Sequence, residues 1–392
     1  MGTPWLAVPV GINAHRWVTR RREATVLVVV SSVVAGQRLM DVVDLIECDL
    51  RVQTVYTQGP GVFGNGVPEL LRSLGVLRIP WQQAVQQRFD LVLAAAYEGL
   101  HELHGPIMVL PHGAGYGKRA PGFGGDSRPT YGLDAQRLIR DGRVLPASIV
   151  LSHESQRTVL ARQCPPAAEV AVVAGDPCYD RMLASRRCRA RYRTALGVPT
   201  GHELVVVAST WGPRSLFARD AELLDELVEE LDPARFRVAA LVHPAAWAAH
   251  GRRQMRAWLS RSCTAGLMLI EPDMDWRTVV LAADHLVGDQ GSTTVYAAAI
   301  GVPVLHVGVP KDELDPDTPQ AWLAEHAPRL DRTRAIEPQL RAAARRCGGA
   351  WAASVASRLT SRPGQARGIL RAEMYRLLGL PAPAVSHQDG AA

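Results

Sequence analysis

The feature that most constrains this chain is a repeated rhythm. Short runs of Val, Ile, Leu and Ala, closed by Gly, Pro or polar clusters, alternate with longer helix-like stretches. "ATVLVVVSS" at 24–32 precedes a helix expected over 36–47, and "VQTVYTQ" at 52–58 runs into the Gly-rich loop "GPGVFGNG" at 59–66. "LVLAAAY" (91–97), "IMVLPHG" (107–113), "SIVLSHE" (148–154) and "VAVVAGDP" (170–177) continue the pattern. After a polar, Arg-rich helical stretch from Cys178 the rhythm restarts with "ELVVVAST" (203–210), "FRVAALVHP" (236–244), "GLMLIEP" (266–272), "DHLVGDQG" (284–291) and "VPVLHVG" (302–308). A strand wet on one face alternates apolar and polar residues. Unbroken apolar runs between helices are what parallel strands look like when both faces are covered.

The rhythm predicts an α/β protein of two Rossmann-like, doubly wound parallel-sheet domains facing a cleft, a GT-B-like arrangement. The expected divisions are 1–180, 181–335, helices at 336–378 with a crossing back to the first domain as one option, and a flexible tail at 379–392. At 392 residues, 47% hydrophobic and 21% charged, the chain has an ordinary globular composition and the length of roughly two domains. Ligand sites in such sheets lie at the carboxyl ends of strands, here along the cleft.

Charge adds one hint. Of the 44 Lys and Arg residues, only Lys118 and Lys311 are lysine. Compositional bias accounts for that, but Arg forks also match phosphate oxygens. The formal charge of +6 suits anionic substrates or surfaces without identifying one. Between Arg332 and Arg376 stand ten Arg and only two acids, Glu337 and Glu373. A solvated or acid-paired helix face is the plain reading, and docking on an anionic lipid surface is the alternative. Cys48, Cys164, Cys178, Cys188, Cys263 and Cys347 form no CxxC pair and no zinc-type cluster, so reduced thiols are expected. No apolar run approaches the ~20 residues of a membrane-spanning helix, and the start is too interrupted for a signal peptide. A cytoplasmic protein is expected, with peripheral attachment at the inner face of the membrane as an option. No metal or cofactor is expected.

The strand ends carry the candidate chemistry. In "HLVGDQGSTTVYAAAIG" the strand is expected to stop at Gly288, turn through Asp289 to Gly291, and open a helix at Ser292, Thr293 and Thr294. A hydroxyl there can merely cap the helix. The same free N–H groups and the helix dipole also make an anion site, and an acid, a glycine and three hydroxyls are more than a cap requires. "LVHPAAW" aims His243 at the cleft, because His–Pro holds the chain extended before a helix. A turn histidine is the bland alternative. "VLPHGAGYGKR" puts His112 at a strand end ahead of a mobile loop with Gly113, Gly115, Lys118 and Arg119. "ASTWGPRS" places Thr210, Trp211 and Arg214 after the first strand of the second unit, where Arg214 either reaches a phosphate or is a solvated loop residue.

In that order, these motifs resemble the CDP-glycerol glycerophosphotransferase family of teichoic-acid-type polymer synthesis. Its "HG" before a basic loop is similar to "PHGAGYGKR". Its G-x-P-x-x-D resembles "GDPCYD", with Gly175, Pro177 and Asp180. Its "TW" and "HP" resemble "STWGPR" and "LVHPAAW", and its D-x-S-S end resembles "GDQGSTT". The resemblance covers about 107 to 309. The family's HGTPLK is HGAGYGK here, with Lys118 one position later, and its DYSS is DQGSTT. The resemblance implies a first domain serving the acceptor and a second holding the donor. It implies a metal-independent transfer from a CDP-alcohol to an acceptor hydroxyl, possible lipid linkage of that acceptor, and no nucleic-acid partner. By that resemblance His112 would be the base or an acceptor-side residue, and His243, Ser292 and Thr293 would be donor-phosphate ligands. From their places at the strand ends, His243 and Asp289 are further catalytic candidates, and Thr210, Arg214, Gly291 and Thr294 further phosphate-binding candidates.

Two other functions fit the same pattern. A UDP-sugar 2-epimerase-like isomerase would need carboxylates beside the sugar, for which Asp90, Glu98 and Glu102 are candidates. A non-catalytic nucleotide-binding protein is the third, since fold alone does not choose.

Overall fold

The computed structural model describes residues 5–10, 14–120, 128–308 and 313–384. The first sheet is built from β1 (Ala24–Val30), β2 (Val52–Gln58), β3 (Leu91–Ala94) and β4 (Ile107–Val109). A short hairpin, β5 (Ile139–Arg140) with β6 (Arg143–Val144), precedes its last two strands, β7 (Ser148–Leu151) and β8 (Ala171–Val173). The strand order is β2-β1-β3-β4-β7-β8, parallel throughout, with Leu27 of β1 in register with Val55 and Val92. The second sheet contains β9 (Glu203–Ser209), β10 (Phe236–Val242), β11 (Met268–Leu269), β12 (His285–Gly288) and β13 (Val304–His306). Its order is β11-β10-β9-β12-β13, again all parallel. The molecule is therefore two Rossmann-like domains facing a cleft, the GT-B-like arrangement.

The unbroken apolar runs follow from burial on both faces. Successive strand residues point to opposite sides. In β1, Val26, Val28 and Val30 join a core with Leu39, Val42 and Ile46, while Leu27 and Val29 join another with Val55, Ala84 and Leu100. In β9, Leu204, Val206 and Ala208 face Val295 and Ala297, and Val205 and Val207 face Leu224 and Leu227. Each strand has two apolar faces because it has two helical layers to meet.

Several details differ from the sequence reading. The helix expected over 36–47 is observed as two pieces, Val33–Leu39 and Asp44–Glu47, and the first begins earlier because the Ser32 hydroxyl caps the Ala35 amide. The hairpin Ile139–Val144 was not anticipated. The C-terminal region forms the helices Ile336–Arg346, Gly349–Leu359 and Ala366–Leu378. The first two pack on the second domain through Ile336, Leu340, Val355 and Leu359. The third lies in the first domain's core through Leu370, Met374 and Tyr375. Of the tail at 379–392, residues 385–392 lie outside the described residues. No helix among the described residues is long and apolar enough to cross a membrane.

Candidate functional site

A cleft of about 850 Å³ runs between the carboxyl ends of the two sheets. Every residue singled out from the strand-end motifs lines it, from His112, Lys118 and Arg119 on one side to Thr210, Arg214, His243, Asp289 and Ser292–Thr294 on the other. Their local settings differ, and so does what each can do.

His243 ends β10 and opens the helix Pro244–His250. Its Nδ1 accepts the Ala245 amide at 3.1 Å, which fixes the neutral tautomer with the proton on Nε2. The ring keeps some access to solvent but stands deep in the cleft. Loss of bulk water and the nearby Lys118 and His112 lower its pKa to about 3. His112 follows β4 with its ring open to the cleft. The surrounding walls and the charges of Lys118 and Arg38 lower its pKa, against the Ala95 carbonyl and Glu98. Burial also lowers the Lys118 pKa, opposed by Asp289 and Glu313. Lys118 reaches the Thr210 hydroxyl at 3.5 Å and lies over the Trp211 ring, 5.5 Å from its centroid. Two imidazoles and an ammonium are thus crowded together, and an anion placed among them would relieve all three.

Asp289 is 2% exposed, and both its oxygens are committed to backbone. They accept the amides of Thr210 at 3.0 and 2.8 Å, Leu216 at 2.9 Å and Gly291 at 3.1 Å. Burial raises its pKa while those amides and Lys118 pull it back. What the geometry supports for Asp289 is holding two loops at the cleft floor. It leaves no oxygen for a proton-transfer partner.

The helix Ser292–Ala299 starts four residues after Gly288, with Gly291 as its N-cap and no side-chain cap. The Ser292 hydroxyl is turned to the other domain, accepting the Ala114 amide at 3.0 Å. Thr293 is half-buried on the cleft side, whereas Thr294 is buried against Gly288 with its hydroxyl unpartnered among the described residues. Arg214 pairs with Glu313 at 3.1 Å.

The loop after His112, expected to be mobile, is laced to the second domain. The Arg119 amide bonds the Glu313 carbonyl at 2.9 Å, and the Asp315 amide bonds the Gly117 carbonyl at 3.2 Å. Gly113 and Gly117 leave no room for a Cβ, which would run into Ser292 and Gln320 respectively. Of the carboxylates considered for an isomerase, Asp90 binds the Thr25 amide at 2.7 Å at the far end of β3, and Glu102 does not line the cleft. Glu98 does line it, within 3.3 Å of the Tyr131 hydroxyl.

Sequence reading missed the charged group beneath the cleft. Arg38 bonds Asp176 at 3.3 Å, the Gly113 carbonyl at 2.7 Å and the Tyr296 hydroxyl, and Tyr296 donates to Asp176 at 2.7 Å. Asp41 faces Arg38, Arg181 on the joining helix Pro177–Ser185 and, from the second domain, Arg277. The available signal was "GQRLMD", a charged pair three residues apart on an otherwise apolar helical face. In the "GDPCYD" motif, Asp176 caps the helix Pro177–Ser185, and Asp180 holds the Gly364 and Ala366 amides at 2.7 and 3.1 Å. Gly175, at φ +93, lies against the Arg362 carbonyl. This motif anchors the chain's return to the first domain. Phe63, from the Gly-rich loop at 59–66, meets Trp211 edge-on across the cleft mouth at 4.7 Å.

No protein-family profile matches the chain, and no curated protein matches it. Solved structures do. The wall teichoic acid polymerase TagF soaked with CDPG aligns over 92% of this chain and 89% of its own, at 11% identity and a TM-score of 0.60. MnaA of S. aureus with UDP aligns over 93% and 99%, at 12% identity and a TM-score of 0.53. HepE of Anabaena in complex with UDP-glucose aligns over 91% and 100%, at 14% identity and a TM-score of 0.52. At these identities the likeness is one of fold, and the fold is GT-B-like.

Proposed function

We propose that this chain is a transferase that moves glycerol phosphate, a related polyol phosphate or a sugar from a nucleotide-diphosphate donor to an acceptor hydroxyl. A CDP-glycerol-like donor fits best. The observation that carries the reading is the pair of strand-end histidines, His112 and His243, brought from facing domains to one cleft with Lys118 close enough to act on both rings. The similar structures named above hold CDPG, UDP or UDP-glucose, which supports the donor class.

The chemistry follows from protonation states. With its pKa lowered, His112 is neutral near pH 7 and can take the proton of an acceptor hydroxyl as that oxygen bonds the donor phosphorus or anomeric carbon. The bond from that atom to the leaving nucleotide phosphate breaks, and the electron pair stays on the phosphate. His243 donates Nε2–H to that developing charge, Lys118 adds a cation, and the uncapped amides at Ser292 and Thr293 add backbone donors. Asp289 keeps the Thr210 and Gly291 loops in place for this. In this reading residues 1–180 serve the acceptor and 181–335 the donor.

An isomerase would need free carboxylates beside the sugar. Around the cleft Glu271 pairs with Arg252 and Arg256 and Glu313 with Arg214, and of Asp90, Glu98 and Glu102 only Glu98 lines the cleft, one carboxylate where an isomerase needs an acid and a base, which favours transfer. A lipid-linked acceptor and peripheral attachment to an anionic membrane surface at the inner face of the cell membrane complete the proposal. Arg334, Arg345 and Arg346 make no ion pair among the described residues and are the groups to carry that contact. The test is a thermal-shift screen with CDP-glycerol, CDP-ribitol, UDP-GlcNAc and GDP-sugars, followed by product analysis with polyol and lipid-linked acceptors. Stabilisation by a CDP-alcohol with release of CMP supports the reading. Indifference to every nucleotide diphosphate overturns it.

A further inference from the structure

The segment behind His112 is gripped at successive peptide groups, mostly from the opposite domain. The Gly113 carbonyl accepts Arg38 at 2.7 Å, the Ala114 amide donates to Ser292 Oγ at 3.0 Å, and the Ala114 carbonyl accepts Gln320 Nε2 at 3.0 Å. Gln320 is 6% exposed, and its Oε1 has no partner among the described residues. Its amide group is therefore held in a buried place chiefly by the one bond to Ala114, and its side chain also presses on Gly117, where a Cβ would come within 2.7 Å of Oε1. Arg38 is itself aimed by the second domain, through the hydroxyl of Tyr296. A buried polar group is retained at a cost unless its hydrogen bond is needed.

We propose that Gln320, with Tyr296 acting through Arg38, is a positioning residue for His112, so that the second domain sets where the first domain's histidine stands. This rests on the reading of His112 as the base, but its geometry can be tested without turnover. A loop built of Gly113, Gly115 and Gly117 has little stiffness of its own. Its register comes from what holds it. Closure of the domains then completes the acceptor side of the site as well as the donor side, and an open molecule would carry a misplaced base.

The experiment uses the full chain with 13C-labelled histidine and the variants Gln320→Met and Tyr296→Phe, which keep size and remove the polar contact. The ring signals of His112 and His243 are assigned by their loss in His112→Asn and His243→Asn. Folding is checked by a cooperative thermal melt. The expected result is a shifted or exchange-broadened His112 signal in both variants while the His243 signal stays in place. With whichever donor is turned over, kcat falls tenfold or more and KM for the donor stays within threefold. A His112 signal unchanged in both variants overturns the proposal, as does an equal disturbance of both rings. If Tyr296→Phe does not fold, Gln320→Met decides alone. If no donor is turned over, the transferase reading fails and the ring signals still decide this one.

Discussion

At the scale of single residues, His243 and Asp289 show what sequence discloses and what it hides. His243 was legible because His–Pro after an apolar run leaves the ring few directions to point. The commitment of Asp289 was not, since its partners Thr210 and Leu216 lie more than seventy positions away and nothing local announces them. Each supports a prediction. Unfolded His243 takes up a proton near 6.5, whereas the folded residue does not until about pH 3. Between those values the unfolded state binds more protons, so this residue's effect is to lower stability as pH falls. His243→Asn preserves a capping oxygen for the Ala245 amide and removes the titration. Its Tm should therefore fall less than the parent's between about pH 7 and about pH 4.5, and parallel curves would show the reasoning wrong. Asp289→Ala removes a charged acceptor from two buried amides, Thr210 and Leu216, and the part-buried amide of Gly291. At about 1.5–3 kcal/mol per hydrogen bond to a charged group, partly offset because the cost of burying the carboxylate disappears with it, an overall loss on the order of 3 kcal/mol is expected in denaturant titration. A loss below about 1 kcal/mol would mean that the loops hold themselves.

At the scale of elements, the strands were legible because a run covered on both faces cannot be mistaken for an amphipathic surface. The hairpin Ile139–Val144 was not, because two residues a side carry too little pattern, and Arg140, Asp141 and Arg143 read as loop. The basic C-terminal helices were read as one electrostatic feature, yet they divide the labour. Arg332, Arg341, Arg362 and Arg367 are spent on Asp220, Glu203, Glu154 and Asp44, tying this region to the two domains, while Arg376 pairs with Glu373 within its own helix. The helix Ser292–Ala299 has the opposite character, since no side chain caps it and Thr293 stands half-buried on the cleft side. A carboxylate at that position would compete with any anion seated there. Two unit charges about 4 Å apart interact by roughly 4 kcal/mol at the effective dielectric of a partly exposed site. Thr293→Asp should therefore weaken nucleotide-diphosphate binding at least tenfold in calorimetry while leaving the melt intact. Affinity equal to the parent's would place the phosphates elsewhere.

At the scale of the whole molecule, the question is what keeps two domains over one cleft. Apolar contact at the mouth is small, with Phe63 against Trp211. The stronger link is ionic and buried. Asp41, in the first domain, is 3% exposed and faces Arg38 of its own domain, Arg181 on the joining helix Pro177–Ser185, and Arg277 of the second domain. Removing one partner of a buried pair normally costs about 3–5 kcal/mol, because a charge is left alone. Here Asp41 would keep two cations after Arg277 is lost, so the first domain should survive and the cost should fall on the junction. Arg277→Met keeps the length and apolar stem over Trp276, where the guanidinium now lies 5.9 Å from the ring centroid. The expected variant unfolds in two calorimetric transitions where the parent shows one, and its radius of gyration in solution scattering is larger. A nucleotide diphosphate that bridges the cleft should restore part of the compactness, since it binds the closed form and not the open one. A single transition with unchanged dimensions would mean that the domains are held by the seam along 113–119 and the returning helix Ala366–Leu378, with the buried ions as passengers.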